Sequence, residues 1–459
     1  MNKLKKIFAP VDMTAGRPWE DILIFTIPML IGNIAQQLYN TVDSIVVGRF
    51  VGDNALAAVG SAGPILNLLI VLFVGISVGA SIMVSQYLGA RNREALSGTI
   101  GTCIMLTAIA SLIIMVVATL VARPLLELLN TPETILDWCT SYLRILFLGA
   151  AGLAFYNILS GVLRGLGDSM SALLYLLVAS GLNIVLDLLF VVKFDMGVNG
   201  VALATAIAQG ISAILCVRRL SKLTELFDLK WKYIRLNKHH AGNIIRLGVP
   251  SGVTQAMISM AMLIVQSLTN SFGEQFIAAN VITMRVDGFA MLPNMSFGNA
   301  MTTYAGQNVG ANQYERVFKG AKQGLFMGVG TSAVITGLIL IFGKPLMGIF
   351  TSTSELVDLS YHLMQILAVG YLVMSVTQVL SGVMRGAGDT MTPMWISIVQ
   401  TIMIRVPLAY LLVYASRSTA FPQGKREYIY LSLVISWVIG ALITTFFYKR
   451  GKWKTKAIK

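Results

Sequence analysis

Windows of about 20 predominantly apolar residues, the length that crosses a bilayer as a helix, recur along the whole chain. Twelve can be read, near 22–47, 55–84, 96–120, 134–157, 171–192, 200–217, 243–268, 276–304, 318–342, 356–380, 392–414 and 428–448. They leave little with which to face water. Only 12% of the residues are charged, against about a quarter in a soluble domain, and mean hydropathy is +0.73. Lipid is therefore the expected solvent, and the expected class is an all-α integral membrane protein of twelve transmembrane helices. The N-terminus, "MNKLKKIFAPVDM", is basic. No small-residue cleavage site follows a short apolar stretch there, so the first window reads as a retained span.

A net charge of +14 raises the question of nucleic acid, and its distribution answers against it. With the N-terminus placed inside, 25 Lys and Arg fall on the inner side and 7 on the outer. Such a bias follows the positive-inside rule, with both termini cytoplasmic. Membrane lipid, and no nucleic acid, is then the partner of the basic surface. One outer loop, with Arg417, Lys425 and Arg426, runs against the rule. Cys103, Cys139 and Cys216 stand singly in or beside spans with no CxxC spacing, and read as small buried apolar residues.

The chain writes one phrase twice. "SGVLRGLGDSM" (160–170) returns as "SGVMRGAGDTM" (381–391), 221 positions on. At the same offset "SQYLGARNRE" (85–94) lies over "GQNVGANQYE" (306–315), and Pro28 lies over Pro250 at 222. Two halves of six spans follow: 1–217, a basic cytoplasmic linker 218–242, and 243–459. Six is even, so the repeat is parallel, with its axis along the membrane normal. The phrase falls in the cytoplasmic turn after each fourth span. Its glycines permit a tight bend, Asp168 and Asp389 are placed to cap the next helix, and Arg164 and Arg385 to meet phosphate headgroups. It reads either as a structural turn or as a hinge. The linker mixes Lys, Arg and Trp with apolar letters, as a segment on the membrane surface does. His239 and His240 read as solvated residues rather than metal ligands.

No GxxxxGK[ST], HExxH or GxSxG pattern occurs, so neither an ATP-binding loop nor a catalytic cluster is legible. Two six-helix halves without an ATPase point to transport driven by an ion gradient rather than to an enzyme.

Charges inside hydrocarbon are costly and mark function or pairing. Asp43, Asp187 and Asp287 lie within spans, as do Arg144, Arg285 and Arg405. Counted from the outer ends of their spans, Asp43, Asp187 and Thr205 each lie six residues deep, about 9 Å at the helical rise. Asn183 is one turn from Asp187 on the same face. These four are expected to converge in the first half. Two carboxylates in a low-dielectric site resist being ionised together, which suits a proton, and the same oxygens suit Na⁺. A static hydrogen-bonded cluster is the alternative. At the mirror positions the second half has Ile264, Ile404 and Leu408. Gln36, Gln37 and Asn40, with Asn33, form a polar stripe on the first span that suits a cavity wall. Met257, Met260, Met284 and Met291 supply a pliable apolar surface for cargo, or plain core packing. Asp287 sits near mid-membrane, either to attract cationic cargo or to pair with Arg405 or Arg144.

Taken together, the twelve spans, the parallel repeat, Pro28 and Asp43 in the first span, "QNVGA" at 307–311 and the doubled "RGxGD" resemble the multidrug and toxic compound extrusion (MATE) family, and most its bacterial DinF-like branch. The resemblance implies two bundles in a V around a central cavity. It implies a monomeric antiporter of the bacterial cytoplasmic membrane that exports small organic cations, antibiotics among them, in exchange for H⁺ or Na⁺ and with no other cofactor. It implies that Asp43, Asn183, Asp187 and Thr205 bind the ion and that the first span bends at Pro28. The Na⁺-driven branch's second-half Glu and Asp are replaced here by Ile258 and Ser375. Within the superfamily the rival is a flippase for lipid-linked oligosaccharide, with Arg144, Arg285 and Arg405 on a pyrophosphate. A membrane scaffold is a third class, and it has no use for a buried acid pair.

Overall fold

The structure is a computed structural model and describes residues 9–129, 131–419 and 421–458, without the side chains of residues 43, 44, 53 and 56. The described residues are helical throughout, with no strand. Eleven helices are long and apolar enough to cross a membrane: Pro18–Val51, Ala57–Gly89, Arg93–Leu128, Ser169–Lys193, Gly197–Lys222, Lys238–Asn270, Glu274–Gly310, Tyr314–Gly348, Ser354–Gly386, Met391–Ala415 and Tyr428–Arg450. A bent pair, Glu133–Leu148 and Ala150–Gly165, makes the twelfth.

That bent pair is the fourth span. The apolar window at 134–157 reads as one span, and within it the chain turns by 52° at a break and runs on to Gly165. The break falls at Gly149, where a Cβ would stand 2.5 Å from the Cβ of Ala206 on the sixth span. Small residues let the two helices touch, and the fourth bends where they do. Prolines repeat with the fold: Pro124 in the third span and Pro345 in the ninth lie 221 residues apart, each inside a helix.

The chain divides into two compact units, one built on Ile27–Val249 and the other on Met13–Thr26 with Pro250–Lys459. In the first unit the linker is held against the third span by turns rather than by a helix of its own. Arg93 donates to Asp228 Oδ2 at 3.1 Å and to the carbonyls of Thr224 and Glu225, Asp228 N donates to Ser97 Oγ, and Thr102 Oγ1 donates to the Arg235 carbonyl. Residues 93, 97 and 101 are spaced by four, so one helix face carries the dock. Gly101 lies against the Tyr233 carbonyl with no room for a side chain. His240 is half-buried, its Nδ1 3.3 Å from Thr99 Oγ1 and its ring edge-on to Tyr87. In the second unit a comparable clasp holds the entry to the first span. Arg316, at the start of the ninth, donates to the carbonyls of Met13, Ala15 and Gly16 and to Asp21 Oδ2 at 2.8 Å.

The hydrogen bond from Arg93 holds the Asp228 carboxyl below the usual carboxylate range. A group lowered in this way contributes fully above its unfolded value, about 3.9, and loses the contribution as pH falls through the lower folded value. Protection of the linker is therefore expected to be flat from about pH 5 to 8. Arg93→Ala should speed tryptic cleavage at Lys230, Lys232 and Arg235 several-fold in that range. Unchanged cleavage would show that the clasp does not hold the linker.

The doubled phrase is more than a turn. Gly161 and Gly165, four apart, face the second span at Ser77 and Ser81, with a Cβ on Gly165 only 2.7 Å from the Ser81 carbonyl. Gly382 and Gly386 face the eighth span at the Gly298 and Thr302 carbonyls just as closely. Each is a GxxxG contact that lets two helix backbones approach. Only the third glycine of each phrase bends the chain, Gly167 at φ +86° and Gly388 at φ +96°. Asp168 caps the next helix through Ser171 N at 3.0 Å, and Asp389 accepts from Thr392 N at 3.2 Å. Overpacking a tight contact costs about 1–3 kcal/mol or more. Gly165→Leu and Gly386→Leu are thus expected to lower the melting temperature by several degrees. Gly337→Leu, where the space is open, is not. Equal effects at all three positions would remove the GxxxG explanation.

Candidate functional site

The fifth span runs as an α-helix from Ser169 to Asp187 and passes directly into a π turn, Leu188–Lys193. Asn183 and Asp187, one turn apart, both point inward and are each 1% exposed. Thr205 of the sixth span faces them. In the amide orientation that satisfies every partner, Asn183 donates to Asp187 Oδ2 at 2.8 Å and accepts from Thr205 N and Oγ1 at 3.2 Å. Three of the four residues expected to converge are thus joined, at the point where the π turn widens the backbone. The fourth, Asp43, lies on the helical first span, and its side chain is outside the described residues.

Pro28 is buried inside the helix Pro18–Val46. Its ring removes the N–H that would bond the Ile24 carbonyl, and Thr26 Oγ1 turns back to the Ile22 carbonyl at 2.6 Å. The helix passes from the second unit to the first between Thr26 and Ile27, beside this missing bond. Along its stripe Gln36 donates to Asn40 Oδ1 at 3.2 Å, Asn40 is exposed and Gln37 is partly so.

In the second unit Tyr371 of the tenth span donates to Asp287 Oδ1 at 2.7 Å. No ion pair within 4.0 Å joins Asp287 to Arg405 among the described residues, and Arg405 Nε is buried without a partner. Tyr430 donates to Asn280 nearby, in the same buried cluster as Tyr371. Arg144 belongs to the first unit and is exposed, as is Arg285 in the second. Of the methionines, Met291 packs on the apolar core and Met257 is partly buried, while Met260 and Met284 are 48% and 38% exposed. Ser375 is fully buried, and its hydroxyl has no partner.

Two partners were not legible from sequence. Tyr371 holds Asp287 from 84 residues away, and Arg219 holds Asp168 at 2.6 Å from 51 away. Tyr371 stands in an apolar window and Arg219 among the basic residues that follow one, and neither setting names a partner. Among the described residues no group of three or more His, Cys, Asp or Glu is placed to hold a metal.

The two halves also match a known family, over 28–189 and again over 250–411. Both matches begin at the repeated prolines. The chain belongs to the MatE family. Among the relatives of this MatE protein, a probable multidrug resistance protein YoeA of Bacillus subtilis is 29% identical over 87% of this chain and 88% of its own length. A probable multidrug resistance protein NorM of Thermotoga maritima is 24% identical over 96% and 94%, and the multidrug export protein MepA of Staphylococcus aureus 23% over 84% and 86%. A crystal structure of a MATE protein in a straight conformation superposes with a TM-score of 0.89 at 25% identity, covering 96% of this chain and 97% of that one. A bent conformation gives 0.87 at 25%, covering 95% and 96%. A superfamily transporter from Pyrococcus furiosus, 24% identical over 96% and 97%, gives 0.87. This MatE protein is therefore a multi-pass membrane protein with a MATE fold.

Proposed function

We propose that the protein is a secondary antiporter that exports small cationic amphipathic compounds, antibiotics among them, in exchange for H⁺ or Na⁺. Asn183, Asp187 and Thr205, with Asp43, bind the ion in the first unit. Both termini are cytoplasmic, the protein works as a monomer in a bacterial plasma membrane, and it catalyses no reaction. The observation that carries this reading is the buried carboxylate of Asp187, hydrogen-bonded to Asn183 of its own helix, which in turn meets Thr205 of the next, where the repeat puts Leu408 in the other half. A charge at that depth is an expensive way to join helices. It is useful if an ion comes and goes.

The chemistry follows from the donors. A proton on Asp187 removes a buried charge and turns an acceptor into a donor toward its neighbours. Na⁺ would instead draw on the hard oxygens of Asp187, Thr205 and Asn183, the kind of ligand that such cations take. Either ion drives transport only if it binds one conformation better than the other. Pro28 gives the first span a point at which to differ between conformations. Gln36, Gln37, Asn40, Met257, Met260, Met284, Met291 and Asp287 are the proposed cargo contacts. Flipping of a pyrophosphate-linked lipid would need Arg144, Arg285 and Arg405 to act together, and nothing in their placement favours it.

Dye efflux in proteoliposomes, with pH and Na⁺ gradients imposed separately, tests the reading. One of the two gradients is expected to drive efflux of a monocationic dye. Efflux under neither gradient would end the antiporter proposal.

A further inference from the structure

The outer loop with Arg417, Lys425 and Arg426 runs against the charge bias of the whole chain, and the structure shows it as a built feature. Lys425 N donates to Ser416 Oγ at 2.7 Å, and Gly424, at φ +89°, lies on the Val413 carbonyl with no room for a side chain. The loop is thereby folded back on the end of the eleventh span. Its cations lie over rings: Arg417 5.1 Å from the Tyr414 centroid and Lys425 5.2 Å from that of Phe421. The acid Glu427 reaches only Arg426, at 3.7 Å. Arg417 and Lys425 have no ion pair among the described residues.

Beside this loop lies a groove of about 290 Å³ between the seventh and eleventh spans, lined by Leu268, Tyr410, Leu411, Val413, Tyr414 and, at the loop end, Arg417. Its walls are apolar, and Leu411 and Tyr414 are 63% and 68% exposed. On a membrane helix such side chains belong against hydrocarbon.

We propose that groove and loop together hold one anionic phospholipid of the outer leaflet, with an acyl chain in the groove and the phosphate on Arg417 and Lys425. The shape suits a chain, and the cations at one end suit the headgroup. A guanidinium stacked on a ring keeps its N–H edge free for a phosphate, which it can meet with two hydrogen bonds. Exposed aromatic rings at this depth are the usual interfacial anchors. A cationic amphiphile of the exported kind would be repelled, so this is not the cargo site. Assignment to the outer leaflet rests on the orientation proposed above. Binding itself does not.

The test uses the purified full chain in detergent, mixed with phosphatidylglycerol or with phosphatidylcholine of the same acyl chains, and native mass spectrometry to count retained lipid. The wild type is expected to retain phosphatidylglycerol at least tenfold over phosphatidylcholine. Arg417→Gln with Lys425→Gln should bring the ratio near one. Leu268→Trp, which fills the groove, should lower retention of both lipids. Inorganic phosphate should not displace the lipid. Lys425→Gln alone, expected to show an intermediate ratio, serves if the double variant does not elute as folded protein. Equal retention of the two lipids by the wild type, or an unchanged ratio in the variants, overturns the proposal, as does displacement by phosphate. Labelling of a cysteine at Ser418 by an impermeant thiol reagent outside intact cells checks the leaflet separately. Labelling only from inside would overturn the leaflet and leave the lipid preference to be judged by its own arm.

Discussion

Asp187→Asn is expected to abolish ion-coupled efflux while the protein still folds and inserts. The substitution keeps the size of the side chain, and an amide can still bond to Asn183, so the contact between the fifth and sixth spans survives. It removes the group that gains and loses charge. One proton moving inward across 100 mV supplies about 2.3 kcal/mol, and each 1.4 kcal/mol or so is tenfold in a ratio. A neutral cargo held at roughly a fortyfold gradient by the wild type should therefore fall to no gradient in the variant. Thr205→Ala is expected to weaken coupling without ending it, since Thr205 bonds Asn183 rather than the carboxylate. Leu408→Asn, at the mirror position, should leave ion dependence as it is. Efflux measured in proteoliposomes for all three checks the pattern, and full coupling in Asp187→Asn would rule the site out.

The second large effect is expected at Asp287, and on cargo rather than on coupling. A unit charge about 6 Å away at an effective dielectric near 20 is worth at most about 3 kcal/mol to a monocation. Asp287→Asn should thus reduce efflux of a monocationic dye by up to about a hundredfold, with little change for a neutral one. Asparagine still accepts the Tyr371 hydrogen bond, so packing is kept. Tyr371→Phe removes the donor and keeps the charge, and it should do less harm to the cation. If the two dyes suffer equally in Asp287→Asn, the carboxylate serves structure, with Tyr371 and the nearby Arg405 as its reason for being there.

Much of the fold could be read from the chain because a membrane span is a local property. Twenty apolar residues announce themselves without reference to the rest of the molecule, and an offset of 221 survives in the letters. The bend in the fourth span could not be read that way. Gly149 is as apolar as its neighbours, and the residue it makes room for, Ala206, is 57 positions on. The doubled phrase misled in part for the same reason. Three glycines suggest a turn, while two of them are contacts whose partners, at Ser77 and Ser81 or Gly298 and Thr302, lie on other spans. In the candidate site Asn183 and Asp187 were legible because four residues is one helical turn. Thr205 followed from depth, which both spans share. Tyr371 did not, because nothing local ties it to Asp287.

The linker offers the same lesson in charge. Its basic residues suggested a segment lying on the membrane surface. Their neighbour Asp228 meets Arg93 from 135 positions away, a contact that the charge pattern does not announce, and turns rather than a helix carry the chain across. Trp231 is left 88% exposed, free of that dock.

The most direct test of the central claim, that the driving ion sits on Asp187 and its partners in the first unit, is ion release on cargo binding. A monocationic dye is added to the detergent-solubilised protein, and released H⁺ is followed with a pH indicator or released Na⁺ with a radiotracer. The account predicts release of one of these ions from the wild type and from Leu408→Asn, and none from Asp187→Asn even where the dye still binds. Release from Asp187→Asn equal to that of the wild type would contradict it.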